Sequence, residues 1–345
     1  MTGKAATLET QAGSPAASDR TTRPHAGPRS ALTTFVFAVL ACVWFASTGY
    51  RTDVGLLFLV YSLIALGFYI PFVWGGSLSV AYNAYFGIGA YAVAIWAART
   101  ALPVVLAIPI GMLIAAVTAA ILGYVTRGLS GFYLAMITLL FARAFQQWIG
   151  SARSLTGGGA GLGDIPRPEF LGWEMGRVAL VVTGVVVVWA LLWVVARMQT
   201  GLFGLALRAR REVKVAVDAF GVNTTNLDVV TLALGAAIAS IAGVFFALVN
   251  QFVLADNFDV HLIFTILFIP LVGGRGRPWG VAIGSAVVLM LTMTLSWLSG
   301  TSLGNLTYGL GVLLVLLFAP EGLYGLGTTV RRLFRGRRDH TEVVS

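Results

Sequence analysis

The chain has 345 residues, of which 58% are hydrophobic and only 11% are charged, and its formal net charge is +9. Soluble domains carry about 25% charged residues, so much of this chain must have lipid as its solvent, and an ordinary water-soluble domain is excluded. The single cysteine, Cys42, excludes a disulfide framework and a cysteine-based zinc site within the chain.

The first 30 residues are rich in small and polar residues and predict a disordered tail at 1–30, while the basic stretch at 321–345 predicts a second tail. From 31 to 320, apolar runs follow one another, and a helix needs about 20 apolar residues to cross a bilayer. We therefore predict an all-α integral membrane protein with about ten transmembrane helices, at 31–48, 54–73, 80–97, 102–125, 130–149, 178–197, 229–253, 260–273, 280–299 and 303–319. The third and eighth spans are the weakest, and each is either a full or a broken helix.

The placement of the basic residues predicts the orientation of these spans. With ten spans both termini share one side, and that side holds seventeen of the 23 Lys and Arg residues. Because loops with an excess of Lys and Arg stay in the cytoplasm, both termini are predicted to be cytoplasmic. The basic charge is therefore a topology signal that needs membrane lipid and no nucleic acid as a partner.

A long polar connection at 198–228 follows the sixth span and is predicted to face the cytoplasm. Its stretch GLALRARREVKVAVDAFGVN has apolar and charged residues at helical spacing, which predicts a surface helix at 206–221. The charged side chains presented by this helix are Arg208, Arg211, Glu212 and Asp218. By itself the pattern fits a docking element for a partner protein and an amphipathic helix held at lipid headgroups equally well.

Several kinds of chemistry find no support in the sequence. All 14 acidic residues fall in loops, tails or span ends, which disfavours a carrier that binds a coupling ion at the membrane centre. The three histidines form no metal motif and no nucleophile motif is present, which disfavours an intramembrane enzyme. The chain has no GxxxxGK[ST] loop, so any ATP would be bound by another subunit, and no cofactor, metal or catalytic residue is predicted.

Four stretches resemble the permease subunits of branched-chain amino-acid ABC importers, of the LivM-like branch. They are SLSVAYNAYFGIGAYAVA at 77–94, LSGFYLAMITLLFA with LTGGGAGL at 129–162, the stretch at 204–223 quoted above, and LVGGRGRPWG with APEGLYGL at 271–326. Each stretch alone is a weak signal, whereas their order and spacing together are specific. The chain departs from the family pattern at Ala81-Tyr82, where Gly-His is usual, and at Arg143, where an acidic residue is common.

The resemblance implies an ABC importer permease of the type II-like kind in the bacterial cytoplasmic (inner) membrane. The implied partners are a second permease subunit (a LivH-like paralogue), two ATPase subunits and a periplasmic or extracellular solute-binding protein. The chain itself would not be an enzyme. The helix at 206–221 would couple it to an ATPase, because a helix transmits rigid-body motion through packed contacts. The residues assigned to this coupling are Arg208, Ala209, Arg211, Glu212, Ala216, Asp218 and Gly221.

Polar and aromatic residues of the third and fifth spans are candidates for the solute path: Tyr82, Asn83, Phe86, Thr138, Arg143 and Gln146. An arginine at a helix centre costs about 2.5–3.5 kcal/mol to insert, so Arg143 is the most costly of them. With Gln146 it forms a polar face that could attract a solute carboxylate, bond to another helix or anchor the span by snorkelling. Tyr82 and Asn83 fit a path and polar helix packing equally well.

The expected function is the import of amino acids, branched-chain ones first, by alternating access driven by ATP hydrolysis on partner subunits. The alternative is an ion-coupled secondary transporter of a small polar solute. The sequence leaves open whether the solute is another amino acid, an amide or urea, and whether the partner permease is identical or distinct.

Overall fold

The computed structural model describes residues 48–294 except 101, 130, 171, 172, 260 and 275, together with residues 42, 44 and 45. The predicted tails at 1–30 and 321–345, the last span at 303–319, nearly all of the first span and the end of the ninth lie outside the described residues.

Helices make up most of the described chain. The first five are α1 (Gly49–Tyr69), which continues as a π-helical turn (Ile70–Trp74), α2 (Tyr82–Arg99), α3 (Ala107–Val125) after a 3₁₀ turn (Val104–Leu106), α4 (Phe132–Ser151) and α5 (Arg177–Thr200). They are followed by α6 (Leu202–Glu212), α7 (Lys214–Ala219), α8 (Thr224–Asn250), a 3₁₀ turn (Ala255–Phe258), α9 (His261–Gly273) and α10 (Trp279–Thr294).

Six stretches of the described chain are helical, long and apolar enough to cross a membrane: Gly49–Trp74, Val104–Val125, Phe132–Ser151, Arg177–Thr200, Thr224–Asn250 and Ala255–Gly273. The all-helical membrane class is thereby confirmed, while the count of ten spans stays a prediction. The Gly-rich third span is one continuous helix of 18 residues, α2. The short eighth span begins with the 3₁₀ turn and continues into α9.

The central helix of the bundle is α8, against which α1, α2 and α3 pack. At the crossing with α2, a Cβ atom on Gly243 would lie 2.0 Å from the carbonyl oxygen of Phe86. At the crossing with α1, a Cβ atom on Gly235 would lie 2.5 Å from the carbonyl oxygen of Gly67. Lipid tails are as apolar as leucine, so close backbone packing of this kind is a main source of attraction between membrane helices. These glycines therefore fix α1 and α2 against α8.

Large apolar side chains remain exposed along α3 and α4, in contrast to the buried α2 and α8. On α3 they include Leu113, Val117 and Ile121, and on α4 they include Phe132 and Leu140. Such surfaces suit contact with lipid or with a second membrane subunit, because neither requires a polar exterior.

The connection between α4 and α5 folds against the end of α8. After a single helical turn (Arg153–Thr156) and a 3₁₀ turn (Gly158–Ala160), Leu162 and Val253 exchange two backbone hydrogen bonds of 3.0 and 2.9 Å. Two short strands, Glu169–Phe170 and Trp173–Glu174, then pair antiparallel. The Gly-rich run before Leu162 therefore lies against the segment that follows α8.

The predicted single helix at 206–221 differs from the structure, which has two helices there, α6 and α7. Val213 separates them with an extended backbone (φ −142°, ψ 85°). A β-branched residue tolerates this conformation well, and both sides of the break are held by side-chain contacts to other elements, described below. The helical spacing of the sequence runs through Val213 without interruption, so the pattern could not reveal the break.

Candidate functional site

The end of α1 is distorted by a proline. Pro71 has no backbone N–H to donate, and the chain closes a wider π-helical turn there, with the Gly75 N–H donating to the Ile70 carbonyl at 3.4 Å. The Ser77 N–H donates to the Pro71 carbonyl at 2.9 Å, and Gly76 then turns with a φ of +67°. A non-helical segment, residues 76–81, leads from this turn to the start of α2.

Two arginines of α6 hold this turn. Arg210 donates to the carbonyl oxygen of Gly75 at 2.6 Å, and Arg211 donates to the carbonyl oxygen of Val73 at 2.7 Å. Arg210 also forms an ion pair with Asp228 of α8. Guanidinium groups are favourable here because the last carbonyls of a helix lack intrahelical partners and carry partial negative charge. Through these contacts α6 is joined to both α1 and α8.

Sequence reasoning missed Arg210 and Asp228. The predicted coupling residues include Arg208 and Arg211 but not Arg210. The signal available was an isolated carboxylate just before an apolar run, 18 residues after a cluster of arginines. That spacing alone does not indicate which arginine is the partner.

The other coupling residues assigned to α6 are Arg208, Ala209 and Glu212. Arg208 donates to the carbonyl oxygens of Gln199 (2.8 Å) and Gly204 (3.1 Å), so its contacts stay close in sequence, in α6 and at the end of α5. Ala209 and Glu212 are exposed, as expected for a surface that meets water or a partner.

In and after α7, Asp218 accepts hydrogen bonds from the backbone N–H (3.3 Å) and the hydroxyl (2.7 Å) of Thr224, which fixes the start of α8. Ala216 lies in α7, and Gly221 follows it with a φ of +81° that favours glycine. The same region exposes a large aromatic side chain, since Phe220 is 88% exposed. The segment therefore presents apolar as well as charged groups.

Tyr82 and Phe86 of α2 are buried in the helix core. The Tyr82 ring packs edge-on against Phe68 and Tyr85, and its hydroxyl lies beside Gly235, where an added Cβ atom would approach it to 2.5 Å. Within the described part of the chain, this buried hydroxyl has no hydrogen-bond partner. Tyr82 therefore points towards α1 and α8, away from α4.

Asn83 ties α2 to the connection between α8 and α9. Its side-chain amide donates to the carbonyl oxygen of Phe258 at 2.9 Å, and the Asn83 side chain is fully buried. The Phe258 ring in turn packs against Phe86, with 5.0 Å between ring centroids. A buried amide without this bond would carry an uncompensated desolvation cost, so Asn83 fixes where the connection lies.

Thr138 of α4 bridges to the segment that precedes α2. Its hydroxyl oxygen accepts from the Val80 N–H at 2.8 Å and donates to the Leu134 carbonyl at 2.8 Å. The Val80 N–H lies just outside a helix and needs such a partner.

Arg143 of α4 forms an ion pair with Asp259, with 2.9 Å between Nη1 and Oδ1. The same Nη1 donates to Oε1 of Gln146 at 3.3 Å, as the spacing of three residues allows. The Arg143 and Asp259 side chains are 56% and 45% exposed. The sequence placed Asp259 in a loop between spans, and the structure brings its carboxylate alongside α4.

The candidate path residues therefore fall into two groups. Asn83, Thr138, Arg143 and Gln146 lie around α2, α4 and the 3₁₀ turn before α9. Tyr82 instead packs against α1 and α8, and Phe86 packs between α8 and the 3₁₀ turn. Among the described residues, no group of three or more His, Cys, Asp or Glu side chains is placed to hold a metal ion.

Comparison with known proteins identifies the family of the chain. Residues 50–319 match the family described as "Branched-chain amino acid transport system / permease component". The chain is 27% identical over 314 residues to the "High-affinity branched-chain amino acid transport system permease protein LivM" of Escherichia coli (strain K12), which covers 83% of this chain and 72% of that protein. It is 26% identical, with the same coverage, to the protein of that name from Salmonella typhimurium.

A third relative matches a shorter part of the chain. The "Probable branched-chain amino acid transport permease protein LivM" of Methanocaldococcus jannaschii is 30% identical over 173 residues, or 45% of this chain and 47% of that protein. No solved structure matches the chain. Since the family match spans most of the sequence and agrees with the four motifs, the chain belongs to the branched-chain amino acid transport permease family and is a multi-pass membrane permease subunit of an ABC importer.

Proposed function

We propose that this permease subunit imports branched-chain amino acids by alternating access, using ATP hydrolysed by partner subunits. The family match and the names of the relatives support the solute class. The absence of a phosphate-binding loop in the sequence is consistent with separate ATPases. The proposed assembly contains a second, LivH-like permease subunit, two ATPase subunits and a periplasmic or extracellular solute-binding protein.

The proposed location is the bacterial inner membrane with both termini in the cytoplasm. This orientation places the connection from α5 to α8 on the ATPase side, in line with its excess of arginine. The Gly-rich connection from α4 to α5 would then face the solute-binding protein.

The observation that carries the proposal is the contact of α6 with the π-helical turn. Arg210 and Arg211 donate hydrogen bonds to the carbonyl oxygens of Gly75 and Val73. Residues 76–81 lead directly from that turn to α2. A displacement of α6 by an ATPase would therefore pull on the start of α2. Rigid elements joined by charge-assisted hydrogen bonds transmit small shifts in this way.

The proposed ATPase-binding surface combines Glu212 and Ala209 with the exposed apolar side chains Leu202, Leu205 and Phe220. Aromatic residues, including phenylalanine, are enriched at protein interfaces relative to the rest of the surface. Lipid headgroups remain the competing partner for this surface, and loss of ATPase binding in a Phe220 variant, tested below, separates the two.

The solute path is proposed to run along α4, past Thr138, Arg143 and Gln146. These residues and Asn83 are polar groups gathered where non-helical backbone lies between helices, which is a common setting for transport sites.

The test is reconstitution of the purified permease with its ATPases and solute-binding protein in proteoliposomes, with ATP hydrolysis measured against a panel of amino acids, amides and urea. We expect branched-chain amino acids to stimulate hydrolysis most strongly. Stimulation by amides or urea alone would overturn the solute assignment, and failure of the ATPases to assemble with the permease would overturn the ATP-driven mechanism.

A further inference from the structure

Arg143 lies deep within a membrane-crossing helix. It is eleven residues after Phe132 in a helix of 20 residues, so it lies about 16 Å along α4, close to the middle. More than half of its side chain is exposed. A charged group at this position is strongly disfavoured against lipid, so its side chain faces a water-filled cavity, a protein partner or, by snorkelling, the membrane interface.

The counter-ion of Arg143 comes from a distant part of the chain. Asp259 follows the 3₁₀ turn Ala255–Phe258, and the hydrogen bond from Asn83 to the Phe258 carbonyl fixes the residue immediately before it. Beside the pair, Ala84, Ala142 and Ile263 pack together as a small buried cluster. The hydrogen bond from Asn83 and the packing of the small cluster thus hold the Asp259 carboxylate beside α4.

The ion pair between Arg143 and Asp259 is open to solvent, whereas an ion pair with a purely structural role can be fully buried. Both side chains are about half exposed, and Nη1 of Arg143 makes the contacts to Asp259 and Gln146. A guanidinium has five N–H donors in a planar fork, so Arg143 can bind a second carboxylate beside that of Asp259 or in place of it. In contrast, the Arg210–Asp228 pair is largely buried.

We propose that in this chain Arg143, at a position where the family commonly has an acidic residue, receives the carboxylate of the amino acid during translocation, and that Asp259 is its counter-ion in the empty transporter, displaced by the solute. The proposal rests on the proposed import of amino acids. Asp259 then keeps the guanidinium neutralised between cycles, and the incoming carboxylate replaces it as the acceptor. Gln146 orients the guanidinium from the same helix face.

The two residues of the pair make opposite predictions. If solute competes with Asp259, Arg143→Gln removes the receiving group, whereas Asp259→Asn removes a competitor. If the pair only braces the fold, both substitutions break the same ion pair, and Asp259→Asn lowers uptake as Arg143→Gln does. Trp148→Phe is a control on α4, since Trp148 is exposed and lies five residues after Arg143, away from the helix face that Arg143 shares with Gln146.

The experiment measures leucine uptake by the complete reconstituted transporter at saturating loaded solute-binding protein, so that delivery does not limit the rate. We expect Arg143→Gln to lower uptake at least tenfold, Asp259→Asn to leave it at or above the wild-type rate, and Trp148→Phe to leave it unchanged. Equal losses of uptake and of melting temperature in Arg143→Gln and Asp259→Asn would overturn the proposal, as would loss of permease pairing in Arg143→Gln.

A second measurement tests the contribution of the solute carboxylate to binding. Binding of labelled leucine to the permease–ATPase complex in nanodiscs is competed with leucine or leucinamide, which lacks the carboxylate. We expect the wild type to prefer leucine and Arg143→Gln to lose that preference; an unchanged preference contradicts the proposal. A wild-type transporter without ATP-dependent leucine uptake would instead contradict the proposed function.

Discussion

Arg210 and Asp228 form an ion pair that joins α6 to the beginning of α8, and their side chains are only 12% and 24% exposed. The same guanidinium bonds the carbonyl oxygen of Gly75 at the end of the π-helical turn. One side chain thus connects the surface segment, the central helix and the helix that leads to the path.

Replacing Arg210 should uncouple the surface segment from the path. Arg210→Gln removes the ion pair with Asp228 and the hydrogen bond to Gly75, and breaking a buried ion pair costs about 3 kcal/mol. We expect a lower melting temperature and loss of solute-stimulated ATP hydrolysis, while the ATPases remain bound. Measurements of thermal unfolding and stimulated hydrolysis check this.

Arg208→Gln is the matched control on the same helix. The resemblance assigned Arg208 to coupling as well, but its hydrogen bonds among the described residues go to carbonyls of Gln199 and Gly204 rather than to the π-helical turn. This variant should retain most of the stimulated hydrolysis. Equal loss in both variants would show that arginine charge, rather than the contact to Gly75, is what matters.

Phe220 should contribute to ATPase binding because it is the most exposed large hydrophobic side chain in the described chain, at 88%. Phe220→Ser is expected to reduce co-purification of the ATPases at least several-fold and to leave the melting temperature unchanged. Tyr50→Ser, at the opposite end of the bundle in the proposed topology, should have no effect on co-purification. Wild-type recovery of ATPases with Phe220→Ser would assign the surface to lipid instead.

The glycine crossing of α2 and α8 should tolerate no side chain. Gly243→Ala would bring a methyl group to 2.0 Å from the Phe86 carbonyl oxygen and force the helices apart. We expect destabilisation of about 1–3 kcal/mol, as for overpacked cores, seen as a lower melting temperature in detergent. On α4, Gly150→Ala is the control, since its nearest contact would be Ala255 at 3.8 Å. Equal stability of both variants would contradict the packing described for α8.

Asn83 and Tyr82 are adjacent buried polar residues with opposite expected responses. Asn83→Leu removes the donor to the Phe258 carbonyl and should cost about 1–3 kcal/mol. Tyr82→Phe removes a hydroxyl that has no partner in the described structure, so stability should be unchanged or increased. Thermal unfolding of both variants tests this, and a marked loss of stability in Tyr82→Phe would indicate a partner outside the described residues.

The sequence predicted the elements whose signal is local. The long apolar runs gave the membrane class, and the span predicted at 229–253 corresponds to α8 with an added polar first turn from Thr224. Helical spacing correctly grouped Arg143 with Gln146 on one face. Such features depend on residues a few positions apart, where periodicity is informative.

The contacts that organise the site join residues that are far apart in the sequence. Arg143 and Asp259 are 116 residues apart, and Asn83 and Phe258 are 175 residues apart, so no local pattern connects them. The break at Val213 also depends on where Arg210, Arg211 and Asp218 find partners. These features follow from tertiary packing, which overrides local propensity and which a single sequence does not specify.

The most direct test of ATP-driven import is leucine uptake into proteoliposomes that contain the permease pair and its ATPases, with loaded solute-binding protein outside and with or without ATP inside. We expect uptake that requires ATP inside the vesicles and persists when ion gradients are collapsed. Uptake without ATP, driven by an imposed proton or sodium gradient, would contradict it and establish an ion-coupled carrier.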